Sequence, residues 1–405
     1  MSENISPEQY RAEIAELNHE IYRLSRQLEE QEKLNAIDAM PRRKDPFSNP
    51  TEYHESRDDY TKILPRVAEP GCVVPLDPDR EERKRLKRCY AVGGGCMLAH
   101  FIISDYLASA LLAVIMFIIK RINPDTDINL INEYVRASSI LAGLMMLVYM
   151  TTNVGFASIG MKLNGTKSSE LIKTRDFSFG KAVQYCFIGL FLLFTATIVT
   201  AMIENIFTKY GYTTDVIKTN GMAVSNIGKL VMLLYTCIIA PVTEEIFFRG
   251  MILKSFSKAS QRFGIFFSAA LFGLAHANIP QFLLAFSMGI FLAHITLKHG
   301  SLIPAMIVHA CVNSYSSLAS ELDLTGYALI IFNEIFIVLA MIGLVFLLVF
   351  ASKDRLPATT PAQTRRGFSL AMMTPLAALS FLLQICYTLS LIFSSPFLDM
   401  VRNYL

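Results

Sequence analysis

Charge is scarce in this chain. Asp, Glu, Lys and Arg make up 18% of its 405 residues against 53% hydrophobic residues, and the mean hydropathy is +0.40. Soluble globular proteins carry about a quarter charged residues, so this balance places the chain in the membrane class. A net charge of +3 is too small to argue for a nucleic-acid partner. Cysteine is limited to seven residues, an odd number with no CxxC pair. Cys186, Cys237, Cys311 and Cys386 lie within apolar runs, where a thiol packs as a small hydrophobe, so neither a disulfide framework nor a thiolate metal site is indicated. The start, "MSENISPEQYRAEIAELNHE", is too polar for a signal peptide, and the first apolar run is expected to anchor an N-terminus that stays attached. GxSxG and HExxH are both missing, so the Ser-triad and zincin readings lack their signatures. There is no internal repeat and no low-complexity tract.

What is present divides into five stretches. Residues 1–40 hold Ile14, Leu17, Ile21, Leu24 and Leu28 at alternating steps of three and four, the seam of a short coiled coil or of a lone amphipathic helix. Through residues 8–34 this segment is a candidate for homo-oligomer formation. Residues 41–95 read as a Pro-rich and basic linker, with "PRRKDPFSNP" and "PLDPDR" as breakers and "REERKRLKRC" at its end. That basic cluster just before the first apolar run suits a cytoplasmic segment beside anionic lipid. Residues 96–225 and 321–405 are expected to form flanking transmembrane helices around a core at 226–320.

Apolar runs long enough to span a bilayer, or nearly so, lie around 97–119, 138–160, 182–204, 228–253, 263–279, 281–297, 302–319, 327–351 and 369–394. The expected fold is therefore all-α, a polytopic transmembrane bundle of about eight or nine spans with a cytoplasmic N-terminal segment. The shortest runs are the fifth and sixth. Arg83, Lys84, Arg85, Lys87 and Arg88 precede the first run, and basic residues recur between the second and third, fourth and fifth, sixth and seventh, and eighth and ninth. By the positive-inside rule the N-terminus is cytoplasmic. "NPDTDINLINE" and "SELDLTG" on the other side are acidic or neutral.

Ionisable residues inside the runs concentrate between Glu244 and His309, and such residues are functional candidates because lipid does not solvate them. At about 1.5 Å per residue from the basic loops, Glu244 and His276 come out about 18 to 21 Å deep, and His309 and Asn313 about 13 to 19 Å. All four fall in one layer near mid-membrane. His309 and Asn313, four apart, share a helix face. Glu245 and Arg249 have the same spacing in the favourable order for an ion pair. His294 has no partner at such spacing and is assigned to packing, while His19, His54, His100 and His299 lie outside the apolar centres.

A buried carboxylate beside an imidazole can hold a water, deprotonate it and later return the proton. A second imidazole and an amide can donate to the oxyanion of a tetrahedral intermediate. Together these are parts of a hydrolase acting on an amide bond. Two His and one carboxylate also suit zinc, although the Asn would then have no metal role. A proton-coupled transporter would use the same groups as a relay, yet no paired broken helices are evident in the two halves.

"EEIFFR", "FGLAH" and "HACVN" resemble, in order, the EExxxR, FxxxH and HxxxN motifs of the CAAX protease and bacteriocin-processing family, also called the Abi family. The resemblance covers about residues 226–320. It implies an all-helical intramembrane glutamate endopeptidase that needs no metal or other cofactor. Carried onto this chain, Glu244 is the general base with His276 assisting, His309 and Asn313 stabilise the oxyanion, and Glu245 with Arg249 holds the helix end and the first carboxylate. The implied partners are the lipid bilayer and a peptide or membrane-protein substrate, CAAX-like, a bacteriocin leader or another. The motif helices resemble bacterial members more than the eukaryotic branch, which points to a bacterial cell membrane. The competing reading is a non-catalytic scaffold, immunity or regulatory protein that retains the motifs.

Overall fold

The computed structural model describes residues 7–39, 78–125, 127, 139–166, 171–173, 177–209, 226–322, 324–353 and 361–404. Two units separate, Met1–Lys44 and Asp45–Leu405. The first contains one helix, α1 (Pro7–Ala39), on which the five seam residues form a continuous exposed stripe. Residues 41–77 of the expected linker lie outside the described residues. Its basic end, Arg80 to Cys89, forms the opening turns of the next helix.

The second unit holds α2 (Pro78–Ile122), α3 (Ser139–Leu163), α4 (Phe179–Lys209), α5 (Asn226 to Phe256), α6 (Gln261–Leu274), α7 (Ile279–His299), α8 (Ile303–Glu321), α9 (Gly326–Lys353), α10 (Pro361–Met372) and α11 (Pro375–Tyr404). No strand occurs among the described residues. This is the all-α polytopic bundle expected. A helix satisfies its own backbone, which is what a segment crossing lipid requires.

Among the described residues six helices are long and apolar enough to cross a membrane, or up to seven if α10 and α11, bent by 83° at their junction, form one span. The nine apolar runs exceed that number at three places. The run at 263–279 yields only the 14 residues of α6, about 21 Å of helix against a hydrocarbon thickness of about 30 Å. The run at 302–319 is α8, whose polar residues include His309, Asn313 and several Ser, and the run at 369–394 contains the bend.

Local signals set the boundaries around the site. Ser260 caps α6 by accepting from the Phe263 N–H at 3.2 Å, and Asn278 caps α7 by accepting from Gln281 N–H at 2.8 Å. Gly300, left-handed at φ 60°, ends α7, and Pro304 opens α8. The second unit has two apolar cores, and α5 contributes to the first. One gathers Tyr90, Met97, Phe247, Phe256, Phe263 and Phe267 from α2, α5 and α6. The other gathers Tyr185, Ile188, Phe291, Leu292, Val308 and Val312 from α4, α7 and α8. On α9 the apolar residues run all around the helix, and those facing away from α4, such as Ile330, Ile331 and Ile335, are exposed. That is the pattern of a lipid-facing span.

Candidate active site

The site begins with an irregularity in α5. Its five consecutive segments are α-helical Asn226–Leu234, π-helical Tyr235–Ile239, α-helical Ala240–Glu245, π-helical Ile246–Ile252 and α-helical Leu253–Phe256. Pro241 supplies a local reason for the first wide turn. It has no N–H, and its ring crowds the carbonyl four residues earlier. The Ala240 N–H accordingly reaches back five residues to the Tyr235 carbonyl. Thr236 O is then left out of the ladder, because its donor four residues on is spent and the next residue is the proline. The side-chain amide of Asn313 on α8 donates to that carbonyl at 3.0 Å. A helix irregularity thus binds α8 to α5 beside the acidic pair.

Glu244 and Glu245 follow immediately. Consecutive residues on a helix point about 100° apart, and the two carboxylates meet different surroundings. Glu245 is fully buried, whereas the Glu244 side chain is 24% exposed. Of the two, only Glu244 keeps exposed side-chain surface. Glu245 Oε1 lies 3.1 Å from Arg249 Nη1, in the ion pair expected from their spacing. The buried guanidinium also sits 4.3 Å above the Phe272 ring, a cation–π contact that gains weight when desolvated.

His309 ties the pair together. Its Nδ1–H donates to Glu245 Oε1 at 2.8 Å, and its Nε2 faces Glu244 Oε2 at 3.8 Å. The four side chains therefore form a line from Arg249 through Glu245 and His309 to Glu244, with neighbouring polar atoms 3.1, 2.8 and 3.8 Å apart. The carboxylate of Glu245 fixes which nitrogen of His309 holds the inner proton, as second-layer carboxylates commonly do for histidine. The sequence reading gave Glu245 and Arg249 the task of holding the helix end and the first carboxylate; the structure adds His309 as a hydrogen-bonded partner of Glu245.

His276 arrives at the end of α6. The helix stops at Leu274, and the chain turns through Ala277 at φ 56°, a left-handed position rare for a residue with a Cβ. Asn278 closes the turn by donating to the His276 carbonyl at 2.9 Å. His276 Nδ1 lies 2.9 Å from the Phe272 carbonyl. A carbonyl only accepts, so Nδ1 carries the proton and Nε2 of the neutral ring is a free acceptor. Phe272 is the shared neighbour: both His276 and His309 stand edge-on to its ring, at 5.1 and 5.7 Å between centroids. No hydrogen bond or ion pair joins His276 to Glu244 among the described residues.

Sequence reasoning overlooked two residues on the far side of α5. Asn153 of α3 is buried and donates to Thr243 Oγ1 at 3.4 Å, next to Glu244. Its signal was an amide in the middle of an apolar run, "YMTTNVGF". His100 of α2, set aside as lying outside an apolar centre, is buried and stacked on Phe247 at 4.8 Å. His299 is also buried, 3.0 Å from the Tyr185 hydroxyl, and His294 packs against Phe350. Among the described residues no three His, Cys, Asp or Glu side chains are grouped so as to hold a metal ion.

Residues 226–315, which span α5 to the middle of α8, match the family model described as type II CAAX prenyl endopeptidase Rce1-like. That stretch contains every motif residue above, and the match agrees with the CAAX protease resemblance of the sequence. No curated protein and no solved structure matches the chain.

Proposed function

We propose that the chain is an intramembrane, metal-independent endopeptidase that hydrolyses a peptide bond of a membrane-associated substrate with water activated by glutamate and histidine. The observation that carries this reading is the exposure split within the acidic pair: Glu244 is reachable, and Glu245 is committed to Arg249 and His309. A general base must reach its water, and a carboxylate locked in a buried ion pair cannot.

In this reading Glu244 takes a proton from water, and the Nε2 acceptor of His276 orients the same water. Attack on the scissile carbonyl forms a tetrahedral intermediate, and Glu244 returns the proton to the leaving amine. His309 as the imidazolium, donating from Nε2–H, and the second N–H of the Asn313 amide stabilise the oxyanion. Arg249 balances Glu245, and Glu245 holds the His309 ring. The family match supports a CAAX-type substrate, a prenylated C-terminal peptide. The basic loops support a cytoplasmic N-terminus, and the likeness of the motif helices to bacterial members supports a bacterial cell membrane.

The test is comparative membrane proteomics of cells carrying wild-type protein or Glu244→Gln, each variant checked for insertion and accumulation. One membrane peptide should persist uncleaved in the variant. Wild-type processing of every membrane peptide by a normally accumulating Glu244→Gln chain would refute the assignment.

A further inference from the structure

We propose that α1 is a dimerisation element: two copies of the chain pair through it as a parallel, two-stranded coiled coil. The proposal rests on the N-terminal unit and is independent of the peptidase reading. Ile14, Leu17, Ile21, Leu24 and Leu28 are each more than half exposed along one stripe of the helix. Five large aliphatic side chains so arranged form an apolar seam that the helix by itself leaves in water. The seam is also grooved, because Ile21, Leu24, Ser25, Gln27, Leu28 and Gln31 line one open concavity. In heptad terms these are a, d, e, g, a and d positions, the sets of four that receive a knob from a facing helix.

Charge selects the occupant. From Pro7 to Ala39 the helix carries eight Asp and Glu against four Lys and Arg, a net charge of −4. An interfacial helix that docks on anionic lipid is instead rich in Lys and Arg on its polar face. A second copy fits the seam. Ile at the a positions 14 and 21 with Leu at the d positions 17 and 24 is the pattern that favours two parallel strands. In that arrangement the flanking g and e residues of the two copies meet as Glu13 with Asn18, Glu20 with Ser25, and Gln27 with Glu32. No pair repels. The antiparallel alternative that sets Ile14 against Leu24 brings the Glu20 residues of both copies together, a like-charge contact. Fewer than three heptads give a weak coil in free solution. Both copies are attached to membrane-spanning units, so confinement to one bilayer raises their effective concentration.

The experiment uses the full chain in native membranes. Leu28→Cys is oxidised with copper phenanthroline alongside His19→Cys, an outward f position, with the wild type reporting any background from the native cysteines. A disulfide-linked dimer is expected for Leu28→Cys at tenfold or more above His19→Cys, and Ile21→Lys in the same chain should remove it. In the antiparallel register the two residues at 28 would be roughly 27 Å apart, beyond reach. Equal linking at both positions, or none at Leu28→Cys, overturns the proposal. Counting subunits by single-molecule photobleaching of the fluorescently labelled, otherwise unsubstituted protein in the same native membranes guards against a misfolded variant: two chains per particle that fall to one with Ile21→Lys support the pairing, and a wild-type monomer refutes it.

Discussion

His309 donates from Nδ1 to Glu245 Oε1 at 2.8 Å while its Nε2 stands 3.8 Å from Glu244 Oε2. One imidazole therefore connects the two carboxylates of a sequence-adjacent pair that are divided between a buried and a reachable environment. Four consequences can be measured.

Removing the cation should damage the fold before the chemistry. Arg249→Met leaves Glu245 buried with only the imidazole, and loss of one member of a buried pair costs about 3–5 kcal/mol. Thermal unfolding in detergent should show a large drop. Glu245→Gln combined with Arg249→Met should be more stable than the sum of the single losses predicts, since neither charge is then stranded. Strict additivity would mean that the two residues do not act as a pair.

Asn313 and Pro241 are coupled through Thr236 O. Asn313→Ala strands that carbonyl, at a cost of about 1–3 kcal/mol. If its second N–H also serves the oxyanion, kcat should fall by about 10²–10³. Adding Pro241→Ala restores a backbone N–H at the missing position. The double variant should regain stability but not turnover. Recovery of both together would remove Asn313 from the chemistry.

The turn at Ala277 places His276. At φ 56° glycine is tolerated, whereas a β-branched residue is strained. Ala277→Gly should keep near-normal turnover. Ala277→Val should lower kcat by an order of magnitude or more while the chain still accumulates, because the α6 and α7 helices are anchored by their own caps. Full activity in Ala277→Val would show that the His276 placement is uncritical.

Asn153 reaches the site through Thr243. Asn153→Leu removes the 3.4 Å contact and should reduce kcat more than it changes KM, since Thr243 directly precedes the general base Glu244 in the chain. Asn153→Gln, which keeps the amide, should recover part of the loss. A change confined to stability, with kcat intact, would assign Asn153 to packing alone.

Much of the molecule was legible along the chain. Runs of apolar residues marked the helices because a backbone in lipid must close its own hydrogen bonds. The spacing of Glu245 and Arg249 gave their ion pair, whereas the common depth of Glu244, His276, His309 and Asn313 grouped the four without pairing them: His309 faces Glu244, and the Nδ1 of His276 is turned to the Phe272 carbonyl. Seam residues at three- and four-residue steps marked α1. Length misled only where composition and bends intervened, at the short α6, the polar α8 and the kink between α10 and α11. His100 was set aside and Asn153 went unnoticed because their surroundings, Phe247 and Thr243, are not supplied by a linear reading.

The sequence by itself determined that this is a helical membrane protein with an acidic pair, two histidines and an amide in one stretch, since hydropathy and helical periodicity act locally. Only the tertiary structure decided which carboxylate is reachable, that Glu245 holds His309, and that Asn313 is tied to Thr236. Those choices depend on the angular phase of α5. Two π-helical turns shift that phase away from what a regular helix would give, and the neighbouring helices then select which face is covered.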